Sequence, residues 1–88
     1  MRLEYDPRGD IAYIAGGEDV DAKVHHTERV GESDEYERGI DYDGAGEIIG
    51  YEFMNASHGI ALDRLPHRDQ IATFLASVAR LRVIQKAS

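Results

Sequence analysis

Apolar and polar positions alternate with a period of two along residues 1–15, which is the pattern of half-buried β-strands. The alternation is interrupted by Asp6-Pro7-Arg8-Gly9, a sequence typical of a type I turn because proline presets φ at the second position. After the turn, one face of the second strand is predicted to carry Ile11, Tyr13 and Ala15. We therefore predict a β-hairpin over residues 1–15.

A second hairpin is predicted over residues 36–57. Its turn is Asp43-Gly44-Ala45-Gly46, because aspartate and glycines supply the positive φ angles that a tight turn needs. The strand after the turn is predicted to point an aromatic side inward, through Ile49, Tyr51 and Phe53. Gly50 inside this strand indicates a bulge or the close approach of a neighbouring segment.

Two further elements complete the pattern. Residues 22–30 alternate as well, but neither face is cleanly apolar, so we predict an edge strand or a strand at an interface. After Pro66, which suits the first position of a helix, a helix is predicted over residues 67–84. Its apolar stripe consists of Ile71, Phe74, Leu75, Val78 and Leu81.

These elements predict an α+β fold, in which an antiparallel sheet of four or five strands is built from two β-hairpins and the 22–30 strand. One C-terminal helix packs on one face of the sheet. Eighty-eight residues make a single domain, with a hairpin core over residues 1–57 and a connecting loop and helix over 58–88. An open sheet leaves edges and apolar surface that a second copy can cover, so we expect a homodimer.

Charge is distributed unevenly along the chain, whose formal net charge is −7. Residues 1–52 contain 15 acidic and 5 basic side chains, whereas residues 53–88 contain 2 and 5. An acidic body repels phosphate backbones, so nucleic-acid binding is unlikely there. The alternative is binding through the basic side chains of Arg64, Arg68, Arg80 and Arg82. The basic C-terminal part is expected to meet the acidic sheet of its own chain or, alternatively, an acidic partner.

The sequence also carries information about the compartment. It contains no cysteine, which excludes a disulfide framework and a thiolate zinc site. No apolar run approaches the roughly 20 residues of a membrane-spanning helix. The N-terminal residues lack the apolar core of a signal peptide. We therefore expect a cytoplasmic protein that does not bind membranes.

The motifs resemble those of the domain of unknown function 2283 family. The resemblance covers about residues 1–57 and rests on Tyr5-Asp6-Pro7, Asp10, Ala12-Tyr13-Ile14, Gly39-Ile40-Asp41-Tyr42-Asp43, Gly46-Glu47-Ile48-Ile49-Gly50, Glu52 and Asn55-Ala56-Ser57. It implies a small, mainly β prokaryotic protein without an assigned activity, and it suggests an antitoxin-like role. The family supplies no catalytic residue to carry over.

Candidate chemistry in the sequence is sparse. The metal candidates are His26 and Glu28 on one face of the predicted strand, with His58 as a third ligand, but zinc sites need three or four ligands and the spacing does not require them. Carboxylates around the second turn partly match a calcium loop, yet Ala45 occupies a ligand position and the flanks are strands. Ser57-His58 lacks the sequence pattern of an activated nucleophile. We predict no catalytic residue, metal or cofactor.

The remaining hypotheses concern binding. The tyrosines at positions 5, 13, 42 and 51 are interpreted as sheet core, with an aromatic ligand pocket as the alternative. The first functional hypothesis is a non-enzymatic interaction module, antitoxin-like or an accessory partner, whose acidic body meets a basic protein. The alternative is a small-molecule or metal-binding protein, or a cryptic hydrolase, that uses the aromatic face together with His26, Glu28 or His58.

Overall fold

A computed structural model describes residues 1–16, 23–31, 34–78 and 83–84. Its main element is a five-stranded sheet in the order β1-β2-β5-β4-β3, in which all neighbours are antiparallel. The strands are β1 (Arg2–Asp6), β2 (Ile11–Ala15), β3 (His26–Val30), β4 (Arg38–Tyr42) and β5 (Ile48–Phe53). Both predicted hairpins are confirmed, and so is the edge position of the third predicted strand. That strand is shorter than the predicted range 22–30, because residues 23–25 are not part of it, and residue 22 lies outside the described residues.

The remaining elements follow the sheet in the chain. They are a 3-10 turn at Ala56–His58, strand β6 (Ile60–Ala61), helix α1 (Arg68–Val78) and strand β7 (Val83–Ile84). Strands β6 and β7 pair in parallel, so α1 connects two parallel strands. The predicted α+β class with one helix on the sheet is confirmed.

The predicted helix over residues 67–84 is too long. The helix begins at Arg68, because His67 has a positive φ of 59° and leaves the helical path; Pro66 therefore precedes the helix instead of opening it. At the other end, Val83 and Ile84 are extended because they hydrogen-bond to the short strand at Ile60. Of the predicted apolar stripe, Leu81 and the side chain of Val78 lie outside the described residues.

The core lies between the sheet and the segment that follows it. Its largest fully buried apolar side chains are Ile14, Ile40, Tyr51, Phe53, Ile60, Leu62, Ile71 and Leu75. Cross-strand pairing places Ile14, Tyr51 and Ile40 side by side on the inner face. The helix covers that face through Ile71 and Leu75, which are four residues apart and therefore project from one side of the helix.

Two predictions about which face a residue occupies are wrong. Ala12 and Ile14 are fully buried in β2, and Ala15 at the end of the strand is buried as well, whereas Tyr13 lies on the outer face of the sheet and is not part of the core. In the pairing of β4 with β5, Asp41 is opposite Gly50 and the next residue, Tyr42, is opposite Ile48. Ile49 is therefore the extra residue of a bulge. Ile48 therefore packs against the core in place of Ile49. The irregularity adjoins Gly50, as predicted.

One buried charge fixes the segment after the sheet. Arg38 is 2% exposed and donates from Nε to the carbonyl of Tyr36. Its Nη1 contacts the carbonyls of Ala61 and Asp63 and lies 3.0 Å from the Asp63 carboxylate. A buried cation is tolerated when it is paired and hydrogen-bonded in this way. Arg38 thus ties residues 61–63 to the start of β4.

Candidate functional site

Tyr42 is positioned at the end of β4 by two residues of the neighbouring edge strand. Its ring stacks on the His26 imidazole, with the ring centroids 4.7 Å apart and the planes inclined by 10°. Its hydroxyl donates to the Glu28 carboxylate at 3.0 Å. Burial, followed by this hydrogen bond, raises the pKa of Tyr42 above its usual value. The phenol therefore keeps its proton and holds a fixed orientation.

Tyr42 also contributes to a cleft of about 440 Å³ between the end of the sheet and the start of α1. We call this the tyrosine cleft. Its lining residues are Met1, Gly16, Tyr42, Gly46, Glu47, Ile48, Tyr51, His67 and Gln70. Its volume falls in the range of small-molecule sites, and its lining combines apolar walls with a few polar groups.

The inner wall of the cleft contains a hydrogen-bonded pair. The buried Tyr51 hydroxyl lies 3.1 Å from Nδ1 of His67. Burial raises the pKa of Tyr51, so its phenol is protonated at neutral pH and can donate to Nδ1 of His67. In that arrangement Nε2 carries the ring proton of His67. The left-handed backbone of His67 gives this residue its place next to the sheet.

The turn between β4 and β5 carries Glu47, whose side chain is the carboxylate in the lining of the cleft. The Asp43 carboxylate accepts hydrogen bonds from the backbone N–H groups of Ala45 and Glu47, each at 2.9 Å. The Asp43 N–H in turn donates to the Glu47 carbonyl. These bonds close the turn and place Glu47 at the rim of the cleft. Asp43 is therefore a turn residue, as aspartates before glycine often are.

The second feature with functional potential is the edge strand β3. The backbone N–H and C=O groups of successive residues in a strand point to opposite neighbouring strands. The Met54 N–H donates to the carbonyl of Glu37, the residue just before β4, so the odd-numbered residues of β4 hydrogen-bond to β5. Even-numbered residues of β4 therefore pair with β3. Their register partners in β3 are His26, Glu28 and Val30. It follows that the backbone N–H groups of Thr27 and Arg29 point away from the sheet.

The outer face of the sheet carries a layer of hydrogen-bonded side chains. Tyr13 and Thr27 both donate to the Asp41 carboxylate, at 2.9 and 2.5 Å. Arg29 forms an ion pair with Glu52 at 2.9 Å. Burial and the adjacent Asp41 raise the pKa of Tyr13 far above its usual value. The carboxylates that partly match a calcium loop, Asp41, Asp43 and Glu52, thus have protein partners on this face or in the turn.

The three candidate metal ligands considered in the sequence occupy two kinds of surroundings. His26 and Glu28 lie on one face of β3, as predicted, and both contact Tyr42. His58 lies in the 3-10 turn, where its Nδ1 is 3.1 Å from the Glu35 carboxylate. Within residues 1–16, 23–31, 34–78 and 83–84, no three His, Cys, Asp or Glu side chains form a group able to hold a metal ion. His58 therefore does not complete a three-ligand group with His26 and Glu28.

Ser57 has a structural role next to the first turn. Its hydroxyl donates to the Asp10 carboxylate at 2.6 Å, and its backbone N–H donates to the same carboxylate at 2.9 Å. The Tyr5 hydroxyl is a third donor, at 2.7 Å. The bond from the serine hydroxyl, followed by the tyrosine bond and then the serine N–H bond, lowers the pKa of Asp10. These hydrogen bonds tie the first hairpin turn to the 3-10 turn. Tyr5 was predicted to belong to the sheet core, but it is 43% exposed.

Sequence reasoning identified Tyr42 and Tyr51 as candidates for an aromatic site but missed His67, Gln70 and Glu47. Nothing in the local pattern brings a residue after Pro66 next to the end of β5. Arg38 was missed as well, although alternation with Ile40 and Tyr42 places it on the inward face and could have marked it. Of the basic residues considered for nucleic acid, Arg64 and Arg68 are exposed, whereas Arg80 and Arg82 lie outside the described residues.

Comparison with known proteins gives one result. Residues 2–57 match the sequence profile of a family described as protein of unknown function (DUF2283). Neither the curated proteins nor the solved structures yielded a significant match. Across the described part of the chain, no helix combines the length and hydropathy needed to span a bilayer.

Proposed function

The chain belongs to the DUF2283 family of proteins of unknown function, and within it we propose that this protein is a non-enzymatic interaction module. It binds an extended segment of a basic protein, as an antitoxin or accessory subunit does. The observation that supports the proposal is the outward orientation of the Thr27 and Arg29 N–H groups at the sheet edge. An added strand gains main-chain hydrogen bonds from such groups.

The charge around this edge suits a basic partner. Residues 23–31 and 34–52 carry eight carboxylates against three basic side chains. One of the three, Arg38, is buried in its ion pair with Asp63 and contributes little to the surface. The surface around β3 is therefore acidic, which steers a basic segment toward it and disfavours an acidic one.

Side chains of the edge strand would add specificity to the main-chain bonds. His26 and Glu28 point to one face and Thr27 and Arg29 to the other, so an added strand meets different groups on its two sides. Glu28 offers a carboxylate to a lysine or arginine directly opposite. Affinity for the partner is therefore expected to fall with increasing salt.

The test compares two substitutions at one position. Thr27→Pro removes an N–H that does not serve the β3–β4 ladder, and proline is tolerated in edge strands when its nitrogen faces solvent. Thr27→Ala retains the N–H and, like the proline variant, lacks the hydroxyl that bonds to Asp41. The wild type and both variants are expressed with a tag in the native host and purified gently. Native mass spectrometry then identifies bound proteins.

The expected result is one basic protein bound by the wild type and Thr27→Ala and lost from Thr27→Pro. Circular dichroism would establish that the proline variant remains folded. Equal capture by both variants would contradict strand addition at β3. A wild-type protein that captures nothing above controls would contradict the interaction module as a whole.

The proposal includes a homodimer, formed away from β3. Supporting it is an open apolar groove along α1, lined by Met1, Asp69, Gln70, Thr73 and Phe74. Burying such a groove against a second copy removes apolar surface from water. Light scattering should then give twice the chain mass of 9.8 kDa. Thr73→Glu should yield monomers, whereas Ala76→Glu, an exposed helix position outside the groove, should not.

A second candidate function is the binding of a small molecule in the tyrosine cleft. It is supported by the volume of the cleft and by the polar pair of Tyr51 and His67 at its wall. Thermal-shift measurements across a panel of metabolites and metal ions would reveal ligands as increases in melting temperature, since a ligand bound only by the folded state stabilises it. A panel without any shift would remove this candidate.

A further inference from the structure

The polar groups of the tyrosine cleft favour one sign of ligand charge. Of its lining side chains, Glu47 is the one carboxylate, and none is lysine or arginine. The carboxylate of Glu28, which is not itself in the lining, lies 3.0 Å from the hydroxyl of the lining residue Tyr42. Two carboxylates beside a partly enclosed space create a negative potential that attracts cations and repels anions.

The walls of the cleft suit a flat apolar group. Tyr42, Tyr51 and Ile48 form the sheet side, and the Tyr42 ring is held in place by its stack on His26. The negatively charged faces of aromatic rings attract organic cations, and flat groups pack well against them. A volume of about 440 Å³ accommodates a bicyclic ring with a short side chain.

The helix side of the cleft provides hydrogen-bonding groups from Gln70 and His67. Gln70 offers both an amide donor and an amide acceptor. When Nδ1 of His67 accepts from Tyr51, its Nε2–H is a further donor. These groups can orient the body of a ligand.

From these observations we infer that the tyrosine cleft binds an organic cation, a protonated amine attached to a flat aromatic body, with the amine next to Glu47. The inference rests on the second candidate function, ligand binding in the cleft. It goes further in assigning the class of ligand and the residue that selects it.

The experiment uses three probes that share an indole ring. Tryptamine carries a positive charge, indole is neutral and indole-3-acetate is negative. Each is titrated into the full-length protein, with binding measured by calorimetry and located by amide chemical-shift changes. Tryptamine should bind at least about tenfold more tightly than either analogue, with shift changes at the 43–47 turn and at Tyr51 and His67.

Two variants test the role assigned to Glu47. Glu47→Gln retains the shape and hydrogen-bonding capacity of the side chain but removes its charge. It should reduce the preference for tryptamine over indole by about tenfold while leaving the affinity for indole unchanged. Glu4→Gln removes a carboxylate from the exposed strand β1 at a site outside the cleft and should preserve the preference.

The outcomes separate this inference from the function it rests on. Similar binding of all three probes, or a preference that survives in Glu47→Gln, overturns the cation assignment and leaves a ligand-binding cleft. Shift changes confined to residues outside the cleft overturn the location. Absence of binding by every probe, together with a metabolite panel without shifts, overturns both.

Discussion

The phenol end of Tyr13 occupies the space above Gly50 on the neighbouring strand. A Cβ built on Gly50 would overlap the hydroxyl oxygen and two ring carbons of Tyr13. From this position the Tyr13 hydroxyl donates to Asp41 at 2.9 Å. Glycine is therefore needed at position 50 for the close approach of a side chain, because any other residue would displace the ring and lengthen that hydrogen bond.

Gly50→Ala should destabilise the protein by about 1–3 kcal/mol, the usual range for inserting a group into a filled space. Urea denaturation measures the change. Gly44→Ala is the matched control, because its Cβ would meet one atom, at an ordinary 3.9 Å, and should have little effect. In a Tyr13→Ala background the cost of Gly50→Ala should largely vanish, since the ring that the new methyl displaces is absent. An unchanged cost there would contradict the steric explanation.

The buried guanidinium of Arg38 should be among the most sensitive positions. Arg38→Met retains much of the volume but removes the donor to the carbonyls of Tyr36, Ala61 and Asp63 and the ion pair with the Asp63 carboxylate. Removing one partner of a buried pair costs about 3–5 kcal/mol, so the variant should lose most of its stability. Arg38→Lys should also be destabilised, because an ammonium group cannot reproduce the guanidinium geometry. Both are measured by urea denaturation, and a stable, cooperative Arg38→Met variant would contradict this account.

The Asp10 carboxylate should make stability dependent on acidic pH. Its pKa in the folded protein is lowered by the hydrogen bonds from Ser57 and Tyr5, relative to an ordinary value near 3.8. A lowered pKa contributes stability at higher pH, and that contribution is lost as pH falls through the folded-state value. Asp10→Asn, which tolerates the local φ of 54°, should therefore differ from the wild type above about pH 5 and converge with it in stronger acid. Thermal melting at several pH values tests this, and parallel curves would contradict it.

The raised pKa values of Tyr13 and Tyr51 predict that the stability of the protein decreases at alkaline pH. Burial is the main cause of the raised pKa values of Tyr13 and Tyr51, and Asp41 adds to the effect at Tyr13. A raised pKa contributes stability below the unfolded-state value of about 10, and this is lost as pH rises through the folded-state value. Tyr13→Phe should flatten the alkaline decline measured by urea denaturation. When phenolate absorbance is titrated with base, one of the groups that ionise at high pH in the wild type should be missing from Tyr13→Phe. An unchanged high-pH phase would contradict the assignment of that group to Tyr13.

The hairpins were predictable because their information is local. Turn residues at 6–9 and 43–46 and the alternating strands beside them are adjacent in sequence, and both hairpins form as expected. The choice of inward face is not local. Ala12 and Ile14 are buried in β2 because they face Phe53 and Tyr51 across the sheet, whereas alternation alone assigned the larger Tyr13 to the core.

The helix shows how a long-range contact overrides a local pattern. Apolar spacing continued past Val78, and the sequence therefore predicted helix as far as residue 84. The parallel pairing of Val83 and Ile84 with Ile60 and Ala61 depends on a partner more than twenty residues away, which periodicity does not reveal. For the same reason, only part of the lining of the tyrosine cleft could be predicted from the sequence. Tyr42 and Tyr51 belong to the second hairpin, but His67 and Gln70 reach them through the tertiary fold.

The family match ends at residue 57, yet the sheet that it contains is not self-sufficient. Its inner face, with Ile14, Ile40, Tyr51 and Phe53, is buried together with Ile60, Leu62, Ile71 and Leu75 from the following segment. A protein made of the matched region alone would expose this face and would need another covering. The segment after residue 57 is therefore the lid of this sheet, because it supplies the apolar side chains that cover the inner face, together with His67 and Gln70 of the cleft.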